Sequence, residues 1–220
     1  MNSQLDMYRS NMQKIVKRME IVDTILKGES KIPYQKARIE CIYLQFRMTL
    51  ELIAMTTFST QVINGVVPDQ SKRIRKAWHA GNILKAVKEM NPNYFYPLPM
   101  VLDEKDVAGF DVKTFRGELK EYTGEYLTQN NFHKLYGMCG DILHQSNPFG
   151  RSLKRHSQNF YLNKSDDAKK WRKLIIKLLT HHQFLLPDEP DKFYLCYTTG
   201  NPPKFKIAEW QRIDPSREKF

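Results

Sequence analysis

Between Pro33 and Gly65 the chain runs YQKARIECIYLQFRMTLELIAMTTFSTQVIN with no glycine and no further proline, and its apolar side chains recur too densely to fit one helical stripe. That run predicts a long helix, with Pro33 as a first helical residue, largely buried and crossing the centre of a core. A helical bundle is the expected fold.

The flanking segments agree. From Leu5 the apolar positions Tyr8, Met12, Ile15, Met19, Val22 and Leu26 recur every three or four residues and stop at Gly28, which predicts a first amphipathic helix with a glycine stop. SKRIRKAWHAGNILKAVKEM places Ile74, Trp78, Ile83, Leu84 and Val87 on one side and its cations on the other, a basic third helix ending before Asn91-Pro92. Residues 92–127, with Pro92, Pro97 and Pro99 and several aromatics, form an irregular insertion packed by its rings, with room for a short strand pair. Thr128 caps the next helix, LTQNNFHKLYGMCGDILHQSN, which Pro148 ends. Ser165 caps a last one, DDAKKWRKLIIKLLTHHQFLL, with acids in its first turn. FYLCY at 193–197 and KFKIAEW at 204–210 flank TTGNPP as a β-hairpin. The fold class is therefore mainly α: a bundle of about five main helices over 1–186 with an insertion at 92–127, and a small C-terminal β-hairpin appendage at 187–220.

Composition bounds the function. No stretch approaches the run of apolar residues that a membrane span needs, and the N-terminus is amphipathic without an apolar leader core. Cys41, Cys139 and Cys196 are widely spaced and form no C-x-x-C pair, so a reducing cytoplasm is the expected compartment and structural zinc is not expected. Net charge is +11, concentrated in 69–91 and 151–177 while 100–127 is acidic. Segregated cations predict a polyanionic partner, RNA or another nucleic acid, against the plainer alternative of a solvated basic surface. Arg73, Arg75 and Lys76 in the first segment and Arg151, Lys154, Arg155 and His156 in the second are the candidate phosphate contacts.

The densest local chemistry lies in YGMCGDILHQSNPF. Asp141 and His144, three residues apart, share a helix face with Asn147 near its end. A carboxylate beside an imidazole fixes its tautomer and raises its pKa, as a general base needs; equally, His144 can cap the helix C-terminus and Asn147-Pro148 can simply end it. Adjacent His181 and His182 point about a hundred degrees apart on a helix and do not make a metal pair. No H-E-x-x-H, phosphate-loop or G-x-S-x-G motif occurs, and no metal or other cofactor is expected. Tyr94, Phe95 and Tyr96 could stack bases, although sealing the proline-rich loop onto the bundle is their plainer role.

Arg47 in LQFRMTLELIAM, W-H-A-x-x-I-L-K leading into N-P-x-Y-F-Y-P, and Y-G-x-C-G-D-I-L-H-x-x-N-P-F together resemble uncharacterised bacterial proteins with a HEPN-like helical bundle, over roughly residues 35–185. That resemblance implies a bundle, often a homodimer, frequently a metal-independent RNase of toxin–antitoxin or phage-defence systems and sometimes a non-catalytic RNA- or nucleotide-binding module. The family signature sets an Arg a few residues before its His. Before His144 this chain has Gly137, Met138 and Cys139 there, with no cation. Arg47 from the neighbouring helix would have to replace it, or else pairs with Asp141 for structure. Arg73 to His79 and Arg151 to His156 match the spacing literally, at about the rate that chance supplies.

Two functions follow as expectations. One is an RNA-binding protein without chemistry, in bacterial defence or toxin–antitoxin regulation. The other is a metal-independent endoribonuclease with His144 as base, Asp141 orienting it and Arg47 or the Arg151–Arg155 cluster on the phosphate. An adaptor that docks only a protein partner in a defence complex is a third, separated from both by the salt dependence of binding.

Overall fold

The computed structural model describes residues 3–63, 80–90, 97–101, 120–143, 158–186, 189–199 and 203–211. Helices α1 (Ser3–Leu26), α2 (Gln35–Ile63), α3 (Ala80–Met90), α4 (Gln129–Leu143) and α5 (Gln158–Leu179) carry most of them. Strands β1 (Leu98–Val101), β2 (Lys120–Glu121), β3 (His181–Leu186), β4 (Glu189–Thr199) and β5 (Lys204–Gln211) form one antiparallel sheet in the order β2-β1-β3-β4-β5. The fold is mainly α.

The apolar stripe of α1 is buried from Tyr8 through Met12, Ile15, Met19 and Val22 to Ile25. The helix stops where Gly28 takes φ 79°, and the two bonds of a glycine C-cap form there: Gly28 N–H donates to the Ile25 carbonyl and Glu29 N–H to that of Thr24, each at 3.0 Å. α2 is the central helix, packed against α1, α3, α4 and α5. Ile39, Ile42, Tyr43, Phe46, Leu50 and Ile53 are wholly enclosed. In its last turns Thr56, Thr57, Ser59 and Thr60 are enclosed too, and each hydroxyl donates to a carbonyl one turn back, so burial leaves none of the four without a partner. Pro33 stands outside the helix, whose first turn closes from Arg38 N–H to the Tyr34 carbonyl at 3.0 Å. The Thr128 hydroxyl accepts from Asn131 N–H at 3.2 Å, as an N-cap does.

Two expectations are corrected. α5 begins at Gln158, seven residues before the expected Ser165 cap, and ends at Leu179. The expected continuation, His181–Leu186, is strand β3, held between β1 and β4 by pairs such as Pro99↔His182 and His182↔Cys196. The expected hairpin is present as β4 and β5, with Tyr197 opposite Lys206, but it belongs to a larger sheet. The strand pair allowed for in the insertion is β1–β2, and β1 joins it to β3. The boundary drawn at 186/187 falls in the β3–β4 connection, and Phe184, Cys196 and Phe205 pack in the same core as the helices.

α1 and the sheet are joined by a buried polar group. The His182 Nδ1 lies 3.1 Å from the Leu179 carbonyl oxygen, which only accepts, so the ring proton sits on Nδ1. Nε2 then accepts from the Tyr8 hydroxyl at 2.7 Å. Tyr8 also packs on Phe184 and Phe205, with ring centroids at 5.1 and 6.2 Å. Burial pushes the Tyr8 phenol and the Cys196 thiol far above their ordinary pKa values, so both stay protonated.

Candidate functional site

α5 buries Tyr161, Ala168, Trp171, Ile175 and Leu178 against the core and turns its cations outward. Those cations fall into two groups. Lys164 is bound to Asp167 at 2.7 Å and Lys169 to Asp166 at 3.0 Å, while Arg172 grips both carboxylate oxygens of Asp23 on α1, Nη2 to Oδ2 at 2.6 Å. Lys170, Lys173 and Lys177 are exposed and make no ion pair with any described residue. Their spacing of three and four puts them on one ridge, about 10 Å long by helical rise.

The ridge ends on aromatic rings. Lys177 Nζ lies 5.3 Å from the centre of the Tyr122 ring, which meets Tyr126 edge-on with centroids 6.5 Å apart. The segment bearing both tyrosines is tied down at each end: Tyr122 N–H donates to the Pro99 carbonyl at 2.9 Å and Leu127 N–H to that of Leu174 on α5 at 3.1 Å. Gly124 lies under the Tyr122 ring, where a Cβ would stand 2.4 Å from the hydroxyl and the ring would have to shift. Burial first, and the Lys177 charge second, hold the His181 imidazole below its ordinary pKa, so it adds no charge at neutral pH. Glu121 and Glu125 are exposed on the same segment and bound the positive patch on that side.

The expected catalytic residues are arranged differently. Arg47 is half-buried on α2; its Nε donates to Glu51 at 3.3 Å, one turn on, and its guanidinium lies 5.5 Å from the centre of the Tyr136 ring. The Tyr136 hydroxyl donates to the same Glu51 oxygen at 3.3 Å. Burial, then the Glu51 carboxylate, raise the phenol's pKa. Asp141 is exposed, five residues on and about 140° around α4 from Tyr136, so the turn that Arg47 covers is not the face that carries Asp141. Cys139 is buried and its thiol is pushed up to about 12, which removes it as a nucleophile. His144, Asn147, Arg151, Lys154, Arg155 and His156 lie outside the described residues, as do Arg73, Arg75, Lys76 and Tyr94, Phe95 and Tyr96.

Among the described residues no cluster of His, Cys, Asp or Glu has the makings of a metal site, and no helix is long and apolar enough to cross a membrane. Comparison with protein-family models, with curated proteins and with solved structures finds no match to this chain.

Proposed function

We propose that this is a HEPN-like RNA-binding protein that grips the phosphate backbone without cleaving it, acting in the cytoplasm in bacterial defence or toxin–antitoxin regulation. The class and its setting rest on the resemblance of residues 35–185; the binding rests on the structure's basic ridge. The observation that carries it is the division on α5, where acids neutralise Lys164, Lys169 and Arg172 while Lys170, Lys173 and Lys177 face outward with no ion pair among the described residues, Lys177 lying over Tyr122. Three lysines in line serve any phosphate chain and read no sequence, so binding is backbone-directed. The free thiols of Cys41, Cys139 and Cys196 suit a reducing compartment. The engagement of Arg47 with Glu51 and Tyr136 weighs against the endoribonuclease, because the cation on the neighbouring helix that would replace the family Arg already has a carboxylate.

The test is fluorescence anisotropy with a labelled single-stranded RNA over a salt series, on wild type and on Lys170→Gln/Lys173→Gln/Lys177→Gln. Neutralising three phosphates gives a log–log salt slope of about −2 from this ridge, so the triple variant should lose about that much slope and bind all sequences more weakly. An unchanged slope places the RNA elsewhere. Cleavage of the RNA in EDTA, abolished by His144→Ala, would replace this reading with the endoribonuclease.

A further inference from the structure

Away from the basic ridge, buried core side chains wall a cleft. Met12, Ile15 and Met19 on α1, with Leu179 of α5 and Phe205 of β5, wall a cleft of about 250 Å³. Its lining on α1 continues through Glu20 to Asp23, eleven residues and about 16 Å along the helix from Met12. Asp23 meets Arg172 there, so the cleft is apolar at the Phe205 end and charged at the Arg172 end. An elongated trough with apolar walls, two adaptable thioethers and a charged end is the shape and chemistry of a small-molecule site.

The charges fix the polarity of the occupant. Arg172 spends Nε and Nη2 on the two oxygens of Asp23, so its fork is not offered to an incoming carboxylate. Glu20 lines the same end and makes no ion pair with a described residue, so Glu20 and Asp23 against one guanidinium leave a net negative charge. A cavity of about 150 Å³ takes benzene, so this one takes a chain or ring of roughly eight to ten heavy atoms. We propose that the cleft binds a small cationic amphiphile, a primary amine on an apolar chain or ring, with its ammonium between Glu20 and Asp23 and its apolar part along Met19, Ile15 and Met12. This site is independent of RNA binding and stands or falls without it.

The probes are octylamine, octanol and octanoate, followed through the ¹³C-methyl signals of Met12 and Met19, assigned with Met→Leu variants. Octylamine should shift both methyls saturably and bind at least ten times more tightly than octanoate. Val16→Trp, which fills the trough from a half-buried position, should abolish the shifts, and Glu20→Lys, an exposed change that leaves the fold intact, should reverse the preference between amine and carboxylate. Methyls that do not move at saturating octylamine overturn the proposal, as does octanoate binding equally well, or a folded Val16→Trp protein that binds as wild type does.

Discussion

Acid should loosen this protein through one side chain. His182 is completely buried, and burial first, with His181 beside it, lowers its pKa from 6.5 to about 4 against the opposing bond to the Leu179 carbonyl. In the unfolded chain the imidazole is solvated and titrates normally, so below pH 6.5 the unfolded state binds the extra proton and the folded state refuses it. Stability attached to His182 is therefore intact above pH 6.5, declines as pH falls and levels off below about 4. The gap corresponds to about 3 kcal/mol in full and about 2 kcal/mol between pH 7 and pH 5. The geometry explains the refusal: Nδ1 already donates to a carbonyl and Nε2 accepts from Tyr8, so a second proton would face the Tyr8 hydroxyl in a dry interior. The assay is urea unfolding at pH 7 and pH 5 on wild type and His182→Gln. The variant starts lower, by about 1–3 kcal/mol for the broken Tyr8 bond, but should lose about 2 kcal/mol less than wild type on acidification. Equal losses in the two proteins would refute the reasoning.

Arg47→Ala should cost about 1 kcal/mol in urea unfolding, the worth of a half-exposed ion pair and a cation–π contact, and should leave the salt slope of RNA binding unchanged. Lost RNA binding at unchanged stability would instead put Arg47 in the site. Gly28→Ala should cost about 1 kcal/mol by denaturant midpoint, because φ 79° strains any L side chain even though a Cβ there meets nothing within 4 Å. Gly28→Asn should recover part of that loss, since asparagine tolerates the left-handed region.

Where local chemistry decides, the sequence was a good guide. The stripe of α1, its Gly28 stop, the Thr128 cap and the density of α2 are each set by residues a few positions apart, and the structure follows them. Where partners distant in sequence decide, the local sequence misleads. LLTHHQFLL has no glycine or proline, and only pairing with β1 on one side and β4 on the other selects strand for its second half. Ser165-Asp166-Asp167 imitates a helix start, yet its carboxylates hold Lys169 and Lys164 inside a helix already under way. The site shows the same division. The cations of α5 and the local acids that hold Lys164 and Lys169 are visible in the sequence, but the neutralisation of Arg172 depends on Asp23, 149 residues away. The carboxylate that Arg47 meets is Glu51 on its own helix, not Asp141 on another, a spacing of four that the sequence displays plainly.

The position of the ridge also says how it would bind. α5 is fastened to α1 by Arg172 on Asp23, to the tyrosine segment by the bond from Leu127 to Leu174, and to the sheet at its end, where Thr198 N–H donates to the Thr180 carbonyl at 3.2 Å. β3 follows at once and is pinned through His182 to Tyr8, so the helix under the lysines is braced along its C-terminal half by three separate elements. The backbone under Tyr122 is likewise tied, through its N–H, to the Pro99 carbonyl. On the proposed reading, the ordering that binding requires of the ridge itself is confined to three lysine side chains, about 0.5–1.5 kcal/mol each. Under that proposal counterion release would govern affinity, and a partner would be selected for carrying closely spaced phosphates, not for its sequence.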